Sequence, residues 1–218
     1  MRRELEIPVE VAGHALAVGV SVDEAAAGAA GSAPVAADVV YLHGGGLLYG
    51  RRDDLPACYV DAFCARGHRL WSLDYPLAPE APAAQIVRCV GDELAWLARN
   101  EGLGADRPLV LFGRSAGAYL ALAACRDLVA AHGAAGTDND GTAGGPSPTG
   151  GLAQAVSAPV AVLSFYGYAD LTSSFVHEPS PHYAAMPPLS DSTVCALTGD
   201  EPLTQARIER RFALYLYR

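Results

Sequence analysis

The sequence lacks any apolar run near the ~18–20 residues that a membrane-spanning helix needs. Its first ten residues, MRRELEIPVE, are charged and then strand-like rather than apolar, so we expect no secretory signal. Positive charge is also scarce, because 15 Lys and Arg residues face 24 Asp and Glu residues and the net charge is −9. This balance argues against nucleic acids and anionic membranes as partners.

The sequence also lacks any C-x-x-C pair, although it has five cysteines. No two of them have the spacing of zinc ligands, so we expect no bound metal and no cofactor. Most of them fall on apolar helical faces, where a free cysteine behaves as a small hydrophobic residue. An odd number of such cysteines is typical of a reducing compartment, and we predict a cytoplasmic protein.

A length of 218 residues, about half of them hydrophobic, fits one α/β domain over residues 1–218. Apolar runs alternate with segments of helical periodicity, as in a sheet flanked by helices. The predicted strands are Glu4–Val11, Ala15–Val22, Ala36–Leu42, His68–Asp74 and Pro159–Phe165, with Pro108–Phe112 between two helices. Those two helices are Pro82–Asn100 and Ala116 to about Ala131. A further helix is expected to begin at a cap formed by Asp53 or Asp54, and Glu201–Arg218 is predicted as the last helix.

Residues 133–151 differ from the rest of the chain. They include seven glycines and two prolines, and no Val, Ile, Leu, Met or Phe. Such a segment buries too little apolar surface to offset the entropy of ordering it. We predict a flexible insertion rather than a domain boundary, because the sheet resumes at Pro159–Phe165.

The clearest chemical signal is Gly113-Arg114-Ser115-Ala116-Gly117, which ends the apolar run Leu109–Phe112 and begins a helix-forming run. This is G-x-S-x-G between a strand and a helix, the context of a nucleophile elbow. The two glycines leave room where a Cβ would collide with a neighbouring element. The Ser115 hydroxyl is then expected at a helix N-terminus, which favours developing negative charge.

A second signal is His43-Gly44-Gly45-Gly46, which directly follows the apolar strand Ala36–Leu42. Three glycines leave their N–H groups unobstructed, as an oxyanion hole requires. His43 precedes the serine by a long β-α-β-α stretch, so we interpret it as a structural residue that fixes this loop. The carboxylates of Asp74-Tyr75-Pro76-Leu77-Ala78-Pro79-Glu80 are interpreted as a buried structural network beside the loop rather than as a catalytic acid pair.

Together, HGGG at 43–46, DYPLAPE at 74–80 and GRSAGAYLA at 113–121 resemble motifs of the α/β-hydrolase superfamily. The resemblance runs from about Val39 to Leu171 and is strongest to the hormone-sensitive-lipase-like carboxylesterases and acetyl esterases. It implies an α/β-hydrolase fold with eight strands, mostly parallel, and hydrolysis of carboxylic esters of small acyl groups through an acyl-enzyme. By the same resemblance Ser115 is the nucleophile, and the backbone N–H groups of Gly45, Gly46 and Ala116 form the oxyanion hole.

The chain departs from the family pattern in three places. Arg114 stands where the family often has Asp, and Pro76 stands where it often has Arg. The family also places an acid and then a histidine after later strands, whereas no apolar run after Phe165 could supply both strands. We therefore expect the last two strands and the triad acid and histidine to be absent, in either a fragment or a naturally incomplete domain.

Three histidines follow Ser115, and His132 is set aside because it falls at a helix end. His177 or His182 could act as the base if its loop folds back, oriented by Asp170 or Asp191. Two other functions stay open: a non-catalytic protein that binds small molecules, and an amidase or peptidase of the same fold. The expected partner is a small-molecule ester, and a homodimer is left open.

Overall fold

The computed structural model describes residues 1–25, 36–135, 155–174 and 189–215, together with residues 178 and 187. Strands and helices alternate after an initial hairpin, as the sequence predicts. The strands are β1 (Arg2–Val11), β2 (His14–Asp23), β3 (Asp38–Leu42), β4 (Arg69–Leu73), β5 (Leu109–Arg114) and β6 (Ala161–Phe165). The helices are α1 (Ala57–Ala65), α2 (Ala83–Glu101), α3 (Ala116–Ala135), α4 (Asp191–Leu197) and α5 (Ile208–Tyr215).

The six strands form one sheet in the order β1-β2-β4-β3-β5-β6. β1 and β2 form an antiparallel hairpin, and β2 pairs with β4 in antiparallel fashion. From β4 to β6 every pairing is parallel. The predicted mostly parallel sheet is therefore confirmed, and the described residues contain six of the eight strands that the resemblance implies.

β3 is buried along its whole length because helices cover both faces of the sheet. Alternate residues belong to different apolar clusters. Val40 and Leu42 pack in the larger cluster with residues of α2 and α3, whereas Val39 and Tyr41 pack with residues of α1. The continuous apolar run in the sequence reflects this two-sided burial.

Several predicted boundaries are wrong. The second strand is predicted from Ala15, but β2 already begins at His14, because the hairpin turn is made by Ala12 and Gly13, which both have positive φ. Helix α1 begins after Pro56, with no side-chain cap, so neither Asp53 nor Asp54 caps it. The Asp54 carboxylate instead accepts a hydrogen bond from the Tyr41 hydroxyl at 2.6 Å.

The last helix is shorter than predicted. The sequence predicts a helix from Glu201, but α5 begins at Ile208. The residues before it are held by backbone hydrogen bonds to other parts of the chain: Leu77 N–H donates to Leu203, and Gly50 and Ala206 bond each other. These tertiary contacts replace the intrahelical bonds that a longer helix would form.

Helix α3 reaches Ala135, beyond the predicted Ala131 and into the predicted insertion at 133–151. Residues 136–151 of the predicted insertion lie outside the described residues. Within the described ranges, no helix has the length and apolarity to cross a membrane.

Candidate active site

Ser115 occupies the bend between β5 and α3. Its φ is +53°, a left-handed conformation that non-glycine residues seldom adopt. The bend is held from both sides: Ser115 N–H donates to the carbonyl oxygen of Phe165 at 2.8 Å, and Ser115 C=O accepts from Ala118 N–H at 3.0 Å. The β6 strand and the first turn of α3 thus fix the backbone of this serine.

The glycines on either side of Ser115 allow the bend to pack tightly. A Cβ at Gly113 would overlap the backbone of Gly117, and a Cβ at Gly117 would overlap the carbonyl oxygen of Leu42. Each position therefore has a steric reason to be glycine, as the spacing of the sequence predicts.

The triple-glycine loop after β3 lies directly against the bend. A Cβ at Gly44 would lie 3.3 Å from the Ser115 Cβ. Gly45 and Gly46 have positive φ values of +117° and +63°, and the Gly45 carbonyl accepts hydrogen bonds from Leu48 and Tyr49. Within the described residues, the N–H groups of Gly45 and Gly46 donate to no other backbone group. Ala116 begins α3, so its N–H group has no intrahelical acceptor.

His43 is fully buried beneath this loop. Its Nδ1 lies 2.7 Å from the Gly44 carbonyl oxygen, and its ring stacks on Tyr75 with centroids 4.1 Å apart. The Tyr75 hydroxyl donates to the His43 carbonyl oxygen at 2.7 Å. Burial lowers the pKa of His43, so the ring is held neutral. These contacts are those of a residue that positions the glycine loop.

The two carboxylates of the 74–80 segment point to different partners. Asp74 is buried and accepts hydrogen bonds from the backbone and side chain of Arg52, and from Gln205 at 2.6 Å. Glu80 pairs with the buried Arg211, at 3.0 Å between Nη1 and Oε2. Both carboxylates thus join this segment to other parts of the chain, in line with a structural network.

A cleft of about 570 Å³ opens above Ser115. One wall comes from the glycine loop and Tyr49, and another from Arg114 and Tyr166; a third wall, which sequence reasoning missed, is residues 206–209. The β-bridge between Gly50 and Ala206 brings that third wall to the site. No local pattern could have indicated it. A larger hollow of about 1130 Å³, lined by residues of α4 and α5, does not include Ser115.

Arg114 lines the cleft beside Ser115. Its Nε donates to the Tyr166 hydroxyl at 2.7 Å, and its Nη1 lies 3.5 Å from the Tyr41 hydroxyl and 3.4 Å from the Asp54 carbonyl oxygen. Tyr166 directly follows β6, has a φ of +44° and is 70% exposed. Arg114 therefore connects the ends of β5 and β6 with the residues before α1.

The predicted base and acid residues have different outcomes. His177 and His182 lie outside the described residues. Asp170 is described, and its Oδ1 accepts from the backbone and hydroxyl of Thr172, at 2.7 and 2.6 Å. His132 lies on α3, with Nδ1 2.8 Å from the Leu128 carbonyl oxygen. Among the described side chains, none makes a hydrogen bond with the Ser115 hydroxyl.

A family model of the alpha/beta hydrolase fold matches residues 39–197, which is most of the chain. The chain belongs to the α/β-hydrolase fold family. The match includes the glycine loop, the 74–80 segment and the serine bend, so all three predicted motifs lie in the matched region. A search among functionally curated proteins gave no match.

Two solved structures have a similar fold over nearly the whole of this chain. An alpha/beta hydrolase superfamily protein from Enterococcus faecalis is 26% identical, with a TM-score of 0.66. A protein of unknown function from Staphylococcus aureus Mu50 is 25% identical, with a TM-score of 0.68. Each alignment covers 98% of this chain and 64% of the other. A bacterial heroin esterase is more distant, at 23% identity and a TM-score of 0.46, over 62% of this chain and 40% of its own. This α/β hydrolase thus spans less than two thirds of the length of the first two relatives.

Proposed function

We propose that this α/β hydrolase is a serine esterase that cleaves carboxylic esters of small acyl groups. The observation that carries the proposal is the position of Ser115: it lies on a left-handed bend at the start of α3, against a triple-glycine loop, and lines a cleft. A hydroxyl on such a bend is exposed to substrate, and nearby N–H groups without acceptors suit an oxygen that gains negative charge.

In the proposed reaction the Ser115 Oγ attacks the ester carbonyl carbon while a base takes the hydroxyl proton. The backbone N–H groups of Gly45, Gly46 and Ala116 stabilise the oxyanion. The C–O bond to the alcohol then breaks, the alcohol leaves with the proton, and water releases the acid from Ser115. His177 and His182 are the candidates for the base within this sequence.

The contacts between His43 and Tyr75 support the proposed oxyanion hole. Their stacked rings and the hydrogen bond from Tyr75 hold the backbone from which the glycine loop emerges. Oxyanion donors act best when they are held in place before the reaction. Losing one such donor typically lowers kcat by about 10²–10³-fold.

The first test is covalent labelling with a fluorophosphonate, read by intact mass and peptide mapping. We expect one label per chain on Ser115 and no label on Ser115→Ala. Ser173→Ala is the matched control, since Ser173, like Ser115, is a half-buried serine but lies on a loop after β6 and does not line the cleft. Absence of labelling on a folded protein would contradict an activated serine and would favour a non-catalytic binding protein.

The second test is turnover of p-nitrophenyl acetate by the wild type and by Ser115→Ala, His177→Ala and His182→Ala. Ser115-dependent turnover that one histidine variant abolishes would identify the base. Loss of nucleophile or base typically lowers kcat by about 10⁶-fold. Turnover that survives both histidine variants would contradict their assignment as base candidates.

A further inference from the structure

Arg114 stands next to Ser115 and faces the same cleft. Every acceptor of its guanidinium is a neutral oxygen: two tyrosine hydroxyls and one backbone carbonyl. Among the described residues, no carboxylate lies within ion-pair distance of it, and its Nη2 donates no hydrogen bond. Because an arginine keeps its charge at every ordinary pH, the cleft contains a fixed cation with free donors.

The carboxylate that shares the cleft with this cation, Asp54, acts on it electrostatically but forms no ion pair with it. Asp54 lines the cleft, but its Oδ1 already accepts the Tyr41 hydroxyl at 2.6 Å. The group of Asp54 that accepts a hydrogen bond from Arg114 is its backbone carbonyl, at 3.4 Å from Nη1. The hydrogen bonds to Tyr41 and Tyr166 hold the guanidinium in place, so little side-chain entropy remains to be lost when a ligand binds.

A second cation lies on the wall formed by residues 206–209. Arg207, just before α5, is exposed to the cleft and has no ion-pair partner among the described residues. The acidic residue on the same wall, Glu209, carries the opposing charge. Arg51, the remaining arginine of the cleft, pairs with Asp53 outside it, at 2.6 Å. The lining of the cleft thus has three arginines against two carboxylates, Asp54 and Glu209, and Arg114 is the arginine next to Ser115.

We propose that Arg114 selects esters whose acyl chain ends in a carboxylate, that is, monoesters of short dicarboxylic acids. The planar guanidinium matches the two oxygens of a carboxylate, which a neutral acyl chain lacks. This inference rests on the proposed esterase function. Ser115 Oγ bonds to the ester carbonyl carbon, the C–O bond to the alcohol breaks, and the hydroxyl proton leaves with the alcohol. Water then releases the dicarboxylic acid.

The test compares two substrates that differ in one charge: mono-p-nitrophenyl adipate and its neutral methyl ester, each corrected for spontaneous hydrolysis. For the wild type we expect kcat/KM to favour the charged ester by about 10-fold or more, the range of one charged hydrogen bond. Arg114→Met should bring the ratio close to one, and Arg114→Lys should keep part of it. A wild-type ratio near one, or an unchanged ratio in Arg114→Met, would overturn the proposal.

The matched control is Arg88→Met, which removes the same charge from an exposed position on α2 outside the cleft. It should leave the ratio unchanged; an equal fall in this variant would mean that net charge, not Arg114, produces the preference. A purely structural role of Arg114 would lower kcat/KM for both esters equally. Circular dichroism checks that each variant is folded.

A binding measurement separates this inference from the proposed esterase function. If neither ester is cleaved in a Ser115-dependent way, the esterase proposal fails. Calorimetry with adipamate and with neutral adipamide then decides the inference. Adipamate should bind the wild type about 10-fold more tightly than it binds Arg114→Met, whereas adipamide should not distinguish them. Equal affinity of adipamate for the wild type and for Arg114→Met would overturn the inference that Arg114 binds a carboxylate.

Discussion

Tyr75 and His43 are joined twice: their rings stack with centroids 4.1 Å apart, and the Tyr75 hydroxyl donates to the His43 carbonyl oxygen at 2.7 Å. Both residues are fully buried. Burial raises the pKa of Tyr75, so the phenol stays protonated and remains a donor. The backbone at the start of the glycine loop thus depends on a side chain from the 74–80 segment.

Tyr75→Phe keeps the stacked ring and removes only the donor. Because the His43 carbonyl oxygen is then buried without this partner, we expect the free energy of unfolding to fall by about 1–3 kcal/mol in urea denaturation. Tyr59→Phe is the control, since the Tyr59 hydroxyl makes no hydrogen bond among the described residues; its effect should stay within about 0.5 kcal/mol. Equal effects of the two variants would contradict the role given to Tyr75.

Gly117→Ala tests the packing of the serine bend. The new Cβ would overlap the Leu42 carbonyl oxygen, which is backbone and moves only with β3. We expect a loss of about 3 kcal/mol or more, or failure to fold, measured by thermal unfolding. Gly133→Ala is the matched control on the same helix, where a Cβ meets nothing within 4 Å. It should stabilise by about 0.5–1 kcal/mol, and a loss there instead would show that α3 differs from the description above.

Arg211→Met tests the ion pair that joins α5 to the 74–80 segment. It leaves the Glu80 carboxylate without its main partner, and breaking such a buried pair typically costs about 3–5 kcal/mol. The measurement is the free energy of unfolding at neutral pH. Arg210→Met, on the same helix but exposed, is the control and should change stability by less than about 0.5 kcal/mol. A neutral result for Arg211→Met would mean that the pair does not hold α5 in place.

The same pair predicts an acid-dependent loss of stability. Burial alone would raise the pKa of Glu80, but hydrogen bonds from Arg211 and the Gly199 N–H outweigh it and lower that pKa. The contribution of ionised Glu80 to the free energy of unfolding is therefore fully present above the pKa of the unfolded chain, about 4.3. It is lost as the pH falls through the pKa of Glu80 in the folded protein. Glu80→Gln should flatten this part of the stability profile, and an unchanged profile would contradict it.

Glu93 predicts the opposite dependence on pH. It is fully buried on α2, only Cys89 Sγ donates to its Oε1, at 3.3 Å, and its Oε2 has no partner among the described residues. Burial raises its pKa well above the ordinary value. The wild type should thus lose stability as the pH rises from about 4.3 towards the folded pKa, by at most about 1.4 kcal/mol per pH unit.

Glu93→Gln removes the cost of ionising this buried carboxyl group. Its free energy of unfolding should therefore rise relative to that of the wild type between pH 5 and pH 8, by at most about 1.4 kcal/mol per pH unit. Chemical denaturation at several pH values measures the difference. Glu10→Gln, at an exposed position of β1, is the control and should follow the wild type at every pH. A constant difference between Glu93→Gln and the wild type would mean that Glu93 is ionised in the folded protein.

The parts of the fold that follow from local chemistry were predictable. β3 and β5 are continuous apolar runs because helices cover both faces of the sheet. Gly113 and Gly117 mark the serine bend because only glycine fits there. The start of α1 was not predictable from its acidic residues, since Asp54 is taken by Tyr41, a residue of β3 that a local pattern does not reveal.

The wall formed by residues 206–209 depends on pairing between distant segments, which no periodicity encodes. Helical propensity predicts a helix from Glu201, but hydrogen bonds to Leu77 and Gly50 keep residues 203–206 out of one. The contacts of Arg114 could not be predicted from the motif either. The motif shows that it adjoins Ser115, whereas its fixed orientation comes from Tyr166, which follows β6.

Gly50 and Ala206 exchange backbone hydrogen bonds across the mouth of the cleft. On a ribosome Gly50 therefore emerges long before the segment around Ala206 that must pair with it. In the interval the Gly50 amide is hydrogen-bonded to water, and the cleft beside Ser115 lacks the wall formed by residues 206–209. We expect nascent chains arrested shortly before Ala206 to be cut by added protease near Gly50, and the released chain of 218 residues to resist.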